Sequence, residues 1–170
     1  MTNVALRAVV RSDLPVLVET MARQGEQFEF FGFPSDNGLE RWFDESGCVN
    51  SDRGLLVVVA DDVVVGRVTW HATEYGPGDT SRAWRIGAAL RPGARGRGYG
   101  TAAQRLLVDY LFSTSLVQRV EAGTDIENIA EQRALEKAGF TRDGVMRQAQ
   151  YRDGAWHDMV IYSRLRQDPA

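Results

Sequence analysis

The sequence predicts an α/β fold in which a mixed, mostly antiparallel sheet carries helices on both faces. Three segments predict it: a strand, glycine-rich turn and helix over residues 84–112, an apolar hairpin over residues 54–74, and a further strand over residues 117–124. The helix ending near residue 112 crosses over between two strands, so those strands are expected to run parallel. The strands of the hairpin are expected to be antiparallel.

The elements before the hairpin alternate between strand and helix. Residues 4–10 are predicted as a strand, and Ser12 or Asp13 is expected to cap a helix over about residues 14–23. A second helix is predicted over about residues 37–45, where apolar side chains share one face.

The hairpin combines two apolar runs with a short polar link. Residues 54–60 are continuously apolar and residues 63–74 return after a tight turn at Asp61 and Asp62. The fourth strand is predicted over residues 81–91, because apolar side chains alternate with others up to Leu90 and the run stops at Pro92.

A glycine-rich turn follows the fourth strand. Arg95 and Arg97 are interleaved with four glycines, at positions 93, 96, 98 and 100, and apolar residues then recur with helical spacing at positions 103, 106, 107, 110 and 111. A strand leading through glycines into a helix directs backbone N–H groups and the positive end of the helix dipole at one point, which favours a bound anion. The alternative interpretation is a flexible, solvated connection. In that case the glycines at this junction would cost backbone entropy on folding without a compensating interaction.

Three phosphate-binding turns resemble this one. A P-loop requires a lysine after the glycines, and none is present. Residues 98–103 satisfy the loose dinucleotide pattern G-x-G-x-x-G/A, for which Glu121 is the candidate acidic partner. Residues 95–100, RGRGYG, resemble the Q/R-x-x-G-x-G/A signature of the GCN5-related N-acetyltransferase (GNAT) family.

A second stretch supports the resemblance. Residues 128–140, NIAEQRALEKAGF, are similar to the segment after the fifth strand in the ribosomal-protein N-acetyltransferase-like branch of that family, N-x-x-S-x-x-x-L-E-K-x-G-F. The last residues resemble that branch's closing hairpin. The resemblance implies a GNAT fold with about seven strands, splayed between the fourth and fifth, and an acetyl-CoA-dependent N-acetyltransferase that moves the acetyl group directly to a primary amine.

The resemblance also implies how acetyl-CoA is held. The pantetheine arm is expected along Ala88, Ala89 and Leu90, with the Leu90 backbone N–H as oxyanion donor. Asn128 is expected to contact the same arm, besides capping the helix over residues 129–138 in a capping box with Glu131. The phosphates are expected on the turn formed by Arg95, Gly96, Arg97, Gly98, Tyr99, Gly100 and Thr101.

The sequence departs from the family at the general acid. The position where many members carry a tyrosine is Leu135, and the branch's serine is replaced by Glu131. Water, Tyr151 or Tyr162 remain as alternatives for protonating the thiolate. An amine must lose a proton before attack, and the base candidates are Glu26, Glu74, His71 and Glu29.

The acceptor amine is not chosen by the sequence. Expected substrate contacts are Phe28, Glu29, Trp70, Tyr75 and Trp84, with the two tryptophans equally compatible with the core. A protein N-terminus and a small amine are both compatible, and the acidic loop around Glu26 and Glu29 favours a cationic small acceptor. His157 and Asp158 are expected to be structural or acceptor-facing. Cys48 is the candidate for a ping-pong nucleophile, although the resemblance implies direct transfer.

Composition bounds the remaining classes. The 170 residues, 44% of them hydrophobic, are expected to form one domain over residues 1–166 with a short tail at 167–170. A net charge of -3 without a lysine-rich face argues against nucleic acid, and no run of 18 apolar residues or signal-peptide core is present, so a cytoplasmic protein is expected, with a homodimer left open. Two separated histidines and one cysteine are a poor case for a metal. A noncatalytic acyl-CoA-binding or sensor module is the alternative function, ahead of a nicotinamide oxidoreductase.

Overall fold

The structure, a computed structural model, describes residues 3–21 and 38–169. Its strands are β1 (Val4–Ala8), β2 (Arg53–Ala60), β3 (Val63–Glu74), β4 (Arg82–Leu90), β5 (Arg119–Asp125), β6 (Thr141–Arg152) and β7 (Ala155–Leu165). Its helices are α1 (Leu14–Met21), α2 (Leu39–Ser46), α3 (Tyr99–Thr114) and α4 (Ile129–Lys137).

The strands form one sheet in the order β1-β2-β3-β4-β5-β7-β6. Neighbouring strands are antiparallel except β4 and β5, which run parallel with α3 as the crossover between them. The predicted α/β class, the seven strands and the parallel pair are therefore confirmed.

Apolar side chains pack on both faces of the sheet. On one face α3 and α4 cover a large cluster that includes Leu107, Val120 and Leu135. On the other, which we call the α1–α2 face, a smaller cluster joins α1 and α2 to β2. The apolar run of β2 is continuous because its residues alternate between these clusters: Leu56 and Val58 belong to the first, and Leu55 and Val57 to the second.

The predicted hairpin turn is confirmed in its conformation. Asp61 and Asp62 both adopt left-handed backbone angles, with φ of 48° and 63°. This is the geometry of a two-residue turn whose twist matches the flanking strands, and aspartate tolerates it better than most side chains.

Two differences from the predicted elements arise near the amino terminus. β1 ends at Ala8 rather than at residue 10, because the chain turns there: the Val10 amide donates to the Asp13 carboxylate at 2.8 Å and Arg7 pairs with the same carboxylate at 2.7 Å. Asp13 thus closes this turn instead of capping α1. The predicted start of the second helix lies outside the described residues, which resume at Gly38 immediately before α2.

The buried face of α3 is rotated from the predicted one. Leu106 is 38% exposed, whereas the polar Gln104 is buried beside Ala103, Leu107 and Val108. The Gln104 side-chain amide donates to the Glu131 carboxylate of α4, which lets a polar residue occupy a core position. No helix within the described residues is long and apolar enough to cross a lipid bilayer.

The rotated helix face makes a stability prediction. Replacing Leu107 with Ala should lower the free energy of unfolding by about 2–5 kcal/mol, because a fully buried leucine leaves a cavity. Its neighbour Leu106→Ala should cost less than about 1 kcal/mol, since that side chain is already partly solvated. Urea unfolding of both variants measures the difference, and equal losses would contradict this orientation of α3.

Candidate active site

A gap opens between β4 and β5 beyond a short parallel ladder. The ladder joins Trp84, Arg85 and Ile86 to Val120, Glu121 and Ala122. Past it β4 continues to pair with β3, and β5 with β7. The sheet therefore splits at the carboxyl ends of the two parallel strands.

The peptide groups of β4 alternate between β3 and this gap. The Arg91 amide donates to the Val65 carbonyl at 2.9 Å, so by the alternation of an antiparallel ladder Ala89 also bonds towards β3. The amides of Ala88 and Leu90 then point into the gap, while the Leu90 carbonyl accepts from Arg95 Nε at 3.2 Å. An extended ligand that contains amide groups would therefore find hydrogen-bonding partners in the gap.

The glycine-rich turn leads from the gap to the start of α3. Gly96 and Gly98 have φ of 73° and 80°, a region that favours glycine. The Ala102 amide is the first to donate within the helix, to the Gly98 carbonyl at 3.1 Å. The amides of Tyr99, Gly100 and Thr101 precede it and have no acceptor inside the helix, which suits an anion.

The side chains of the turn divide between solvent and core. Arg95 and Arg97 are exposed, whereas the Tyr99 ring is 8% exposed and packs in the α3 cluster. Tyr99 can therefore offer a ligand its amide but not its ring. A Cβ on Gly100 would lie 3.7 Å from the Leu90 side chain, so glycine there also brings the turn close to the end of β4.

Asn128 forms half of the predicted capping box. Its side-chain oxygen accepts from the Glu131 amide at 3.2 Å, but the Glu131 carboxylate accepts from Gln104 instead of returning to Asn128. Burial raises the pKa of Glu131 despite that hydrogen bond. Leu135, at the family's usual tyrosine position, is fully buried.

The other general-acid candidates are committed elsewhere. Tyr162 is fully buried, its hydroxyl donates to Glu136 at 3.1 Å, and burial with this contact raises its pKa. Tyr151 is 54% exposed and packs edge-to-face on Trp156 in the last hairpin.

The described base candidates lie on β3, at different distances from Leu90. His71 pairs with Arg85 across the β3–β4 ladder, on the α1–α2 face. Desolvation and then the Arg85 charge lower the pKa of His71, so its imidazole is neutral at pH 7. His71 is five residues from Gly66, the partner of Leu90, or roughly 16 Å along the strand, and Glu74 is eight residues from Gly66, or roughly 26 Å. The Glu74 carboxylate lies 3.7 Å from Arg82, and the assignment of His71 or Glu74 as the base stays a prediction.

Both tryptophans predicted as substrate contacts are core residues. Trp70 is 4% exposed and packs edge-to-face on Tyr110 of α3, with ring centroids 5.7 Å apart. Trp84 is 7% exposed and its indole N–H donates to Ser115 at 3.1 Å. Strand alternation places them on the face away from His71. Glu26, Phe28 and Glu29 lie outside the described residues.

A buried carboxylate organises the α1–α2 face beside His71. Glu121 is fully buried and accepts from the Tyr75 hydroxyl at 2.5 Å, from Arg85 at 2.7 Å and from Arg119 at 3.2 Å. Burial alone would raise the pKa of Glu121, but the Tyr75 hydrogen bond and the two guanidinium groups lower it overall. Tyr75 thus binds Glu121 rather than an acceptor through its hydroxyl. The sequence indicates Glu121 only as the acidic partner of a dinucleotide-binding pattern. It does not indicate a role for Arg85, because strand alternation shows only that this side chain faces away from Trp84.

Two cavities adjoin at Thr69 on the α1–α2 face. The α2 cavity, of about 530 Å³, is lined among described residues by Leu39, Trp42, Arg53 and Thr69. The β6 cavity, of about 210 Å³, extends from Thr69 and His71 past Arg85 to Met146 and Met159. Both reach β3 and the second reaches Gly87, the residue before Ala88.

The remaining polar candidates have structural partners. Cys48 is fully buried and burial raises the pKa of its thiol, which disfavours a thiolate nucleophile. His157 Nδ1 lies 3.1 Å from Arg152, which pairs with buried Asp125, and Asp158 accepts from the Gln148 amide at 2.8 Å. Within residues 3–21 and 38–169 no group of three or more histidine, cysteine or acidic side chains is placed to hold a metal.

Comparison with known proteins decides the family. A profile described as "Acetyltransferase (GNAT) domain" matches residues 3–141, well over half of the chain. The chain belongs to the GNAT acetyltransferase family. Its relatives include "Probable N-acetyltransferase YjcK" of Bacillus subtilis (strain 168), 34% identical over 113 residues that cover 66% of this chain. The match spans 61% of YjcK's own length.

Solved structures share the GNAT fold. A spermidine N-acetyltransferase from Vibrio cholerae, in complex with CoA and spermine, superposes with a TM-score of 0.82 at 18% identity, covering 97% of this chain and 96% of that one. RimL, a ribosomal L7/L12 α-N-protein acetyltransferase in complex with coenzyme A, gives 0.76 at 20% identity, covering 95% and 93%. The predicted family and fold are therefore confirmed, including the likeness to ribosomal-protein N-acetyltransferases.

The buried carboxylate predicts a pH-dependent stability. Because the folded-state pKa of Glu121 lies below its ordinary value of 4.5, its ionised form stabilises the fold fully above that value and the contribution is lost as pH falls through the folded-state pKa. Glu121→Gln should cost about 3 kcal/mol at pH 7 and should flatten the loss of stability on acidification. Urea unfolding between about pH 3 and 7 tests this.

Glu74→Gln is the matched control, since that carboxylate is 67% exposed beside Arg82. It should change the free energy of unfolding by less than about 1 kcal/mol. A wild-type pH dependence in the Glu121 variant would show that the acid sensitivity arises elsewhere.

Proposed function

We propose that the protein is an acetyl-CoA-dependent N-acetyltransferase that transfers an acetyl group directly to the primary amine of a small molecule or of a peptide N-terminus. One observation carries the proposal: the gap between β4 and β5 leads into the amides at the start of α3 without interruption. A ligand with an extended amide arm and a pyrophosphate matches these two features in order.

The residues present fit coenzyme A. Ala88 and Leu90 would hold the pantetheine amides by extending β4 across the gap, with Ala89 between them and Asn128 at its opposite rim. Gly96, Gly98 and Gly100 let phosphates approach the backbone, and Arg95 and Arg97 add positive charge at that end. The family relationship supports the same assignment.

The chemistry divides between a backbone donor and a neutral side chain. Bound acetyl-CoA supplies an acyl group activated as a thioester. The Ala88 amide, at the end of the gap away from the phosphate turn, would donate to the position where negative charge develops on the carbonyl oxygen. The Leu90 amide, the donor expected from the resemblance, would bind the pantetheine arm. His71 lies three residues from Val68, the partner of Ala88, or roughly 10 Å along β3, so it would take the proton of the acceptor amine through water. Its lowered pKa keeps it unprotonated at pH 7.

We assign no dedicated general acid. Leu135 carries no proton to give, and Tyr162 is fully buried with its hydroxyl bonded to Glu136. Solvent therefore protonates the departing thiolate in this proposal. The thiolate of coenzyme A needs less assistance than an amine leaving group because it is the weaker base.

Gly98 provides the test of the cofactor site. Gly98→Ala places a Cβ at a φ of 80°, which costs about 1–2 kcal/mol unless the turn moves, so acetyl-CoA should bind roughly fivefold to thirtyfold more weakly. Gly93→Ala is the control, because its Cβ would meet nothing within 4 Å and its φ is ordinary. Calorimetric titration of both variants measures the affinities, and equal affinities would remove the turn from the site.

His71 provides the test of the chemistry. His71→Gln should lower kcat by roughly a hundredfold or more while leaving the acetyl-CoA affinity near wild type, since the base contributes only to the transition state. The acidic limb of the kcat/KM profile should lie below pH 6.5 in the wild type and be absent in the variant. Glu74→Gln should keep wild-type kcat. Binding of acetyl-CoA without thiol release from any amine would instead indicate a noncatalytic module.

A further inference from the structure

We propose that the acceptor is a small amine that also carries a carboxylate, and that Arg85 binds this carboxylate in the β6 cavity. The inference rests on the proposed function and names the substrate class of that site. An α-amino acid with an apolar side chain is the class of compound that fits.

Arg85 presents part of its guanidinium to the cavity. Nε and one terminal nitrogen donate to the same oxygen of Glu121, at 2.9 and 2.7 Å. A guanidinium has five N–H donors in a planar fork, so bonding along one edge leaves donor capacity along the other. The Arg85 side chain is 34% exposed and lines the β6 cavity. A ligand carboxylate in the cavity could therefore accept hydrogen bonds from the guanidinium edge that does not bind Glu121.

The burial of Glu121 sets the sign of the field in the cavity. Glu121 is fully buried, so its negative charge lies behind Arg85 and away from any ligand. The guanidinium is held rigidly by that contact and is oriented before a ligand arrives. Among the described residues lining the cavity Arg85 has the permanent charge, and His71 beside it is neutral at pH 7. The described residues of the cavity wall therefore attract an anionic group and include no acidic side chain that would bind a second cation.

The rest of the β6 cavity is small and largely apolar. Gly87 and Gly123 form its floor on either side of the gap, and a Cβ on Gly123 would come within 3.0 Å of Ile161 and Met159. Met146 of β6 closes the far side. A volume of about 210 Å³ is below the range of about 300–1,000 Å³ typical of drug-sized ligands, so a compact acceptor fits best.

Position links the carboxylate site to the reaction. Gly87 directly precedes Ala88, where the pantetheine arm would begin, and His71 lies opposite Arg85 in the β3–β4 ladder. A carboxylate on Arg85 would hold the amine of the same small molecule between the base and the gap. The acidic residues Glu26 and Glu29, which favoured a cationic acceptor on sequence grounds, lie outside the described residues.

The experiment compares each amino acid with a carboxamide that differs from it only in the carboxylate, and with a polyamine that has no carboxylate. Leucine, valine and phenylalanine would each be assayed against their carboxamides and against spermidine, with thiol release from acetyl-CoA as the readout. We expect kcat/KM at least tenfold higher for each amino acid than for its amide. The α-amine of each carboxamide is less basic than that of the amino acid, so a larger fraction of it is deprotonated at neutral pH. This difference favours the carboxamide and therefore works against the expected result.

Variants separate recognition from structure. Arg85→Gln should raise KM for the amino acids roughly tenfold to a hundredfold and leave the carboxamides within about threefold. Arg119→Gln is the matched control, because Arg119 also donates to Glu121 but does not line the cavity. It should preserve the ratio between amino acid and amide. Arg85→Lys should restore part of that ratio.

Each outcome decides the proposal. Carboxamides or spermidine used as well as or better than amino acids by the wild type would overturn it, as would equal loss of the ratio in the two glutamine variants. The wild-type comparison still decides if Arg85→Gln fails to fold. Failure of the proposed function looks different, since no amine would then release thiol or acetyl-CoA would not bind.

Discussion

The buried carboxylate of Glu121 is the constraint on which the site depends. Glu121 on β5 stands opposite Arg85 on β4, inside a parallel ladder only three residues long. Their ion pair therefore joins the two strands in the middle of the short stretch where the backbone does so. A fully buried charge is costly unless it is paired, and the Tyr75, Arg85 and Arg119 contacts together offset that cost. Pairing of this kind fixes where the sheet begins to split.

The split determines what lies beyond it. β5 stays paired with β7 past the end of the β4–β5 ladder, so the outward peptide groups of β4 have no neighbouring strand there, and the chain turns at Pro92 to start α3. The glycines of that turn satisfy a backbone requirement and an anion requirement together, since Gly98 both adopts a φ of 80° and precedes the first helix amides. One local end of strand pairing thus produces both parts of the proposed cofactor site.

Local patterns allowed most of the fold to be predicted and long-range contacts limited the rest. The β2–β3 hairpin, the strand into α3 and the Asn128 cap are each encoded in one continuous stretch of chain, so periodicity and turn chemistry identify them. The faces occupied by Trp70 and Trp84 are not encoded locally, because alternation separates two faces without saying which one α3 covers. The buried face of α3 could not be recognised from the sequence, because Gln104 is polar and its partner Glu131 is 27 residues away. The contact between Arg85 and Glu121 could not be recognised either, because these residues are 36 positions apart.

Arg85 also connects acceptor recognition to the strength of the base. Its charge lowers the pKa of His71, after the larger effect of desolvation, so the proposed base is neutral at pH 7 but weaker than an ordinary imidazole. A carboxylate bound to Arg85 would offset that charge and raise the pKa of His71 towards its ordinary value. By linkage, a proton arriving on His71 would in turn strengthen carboxylate binding. An acceptor of the proposed class would therefore improve the base that deprotonates it, whereas an amine without a carboxylate would meet the weaker one.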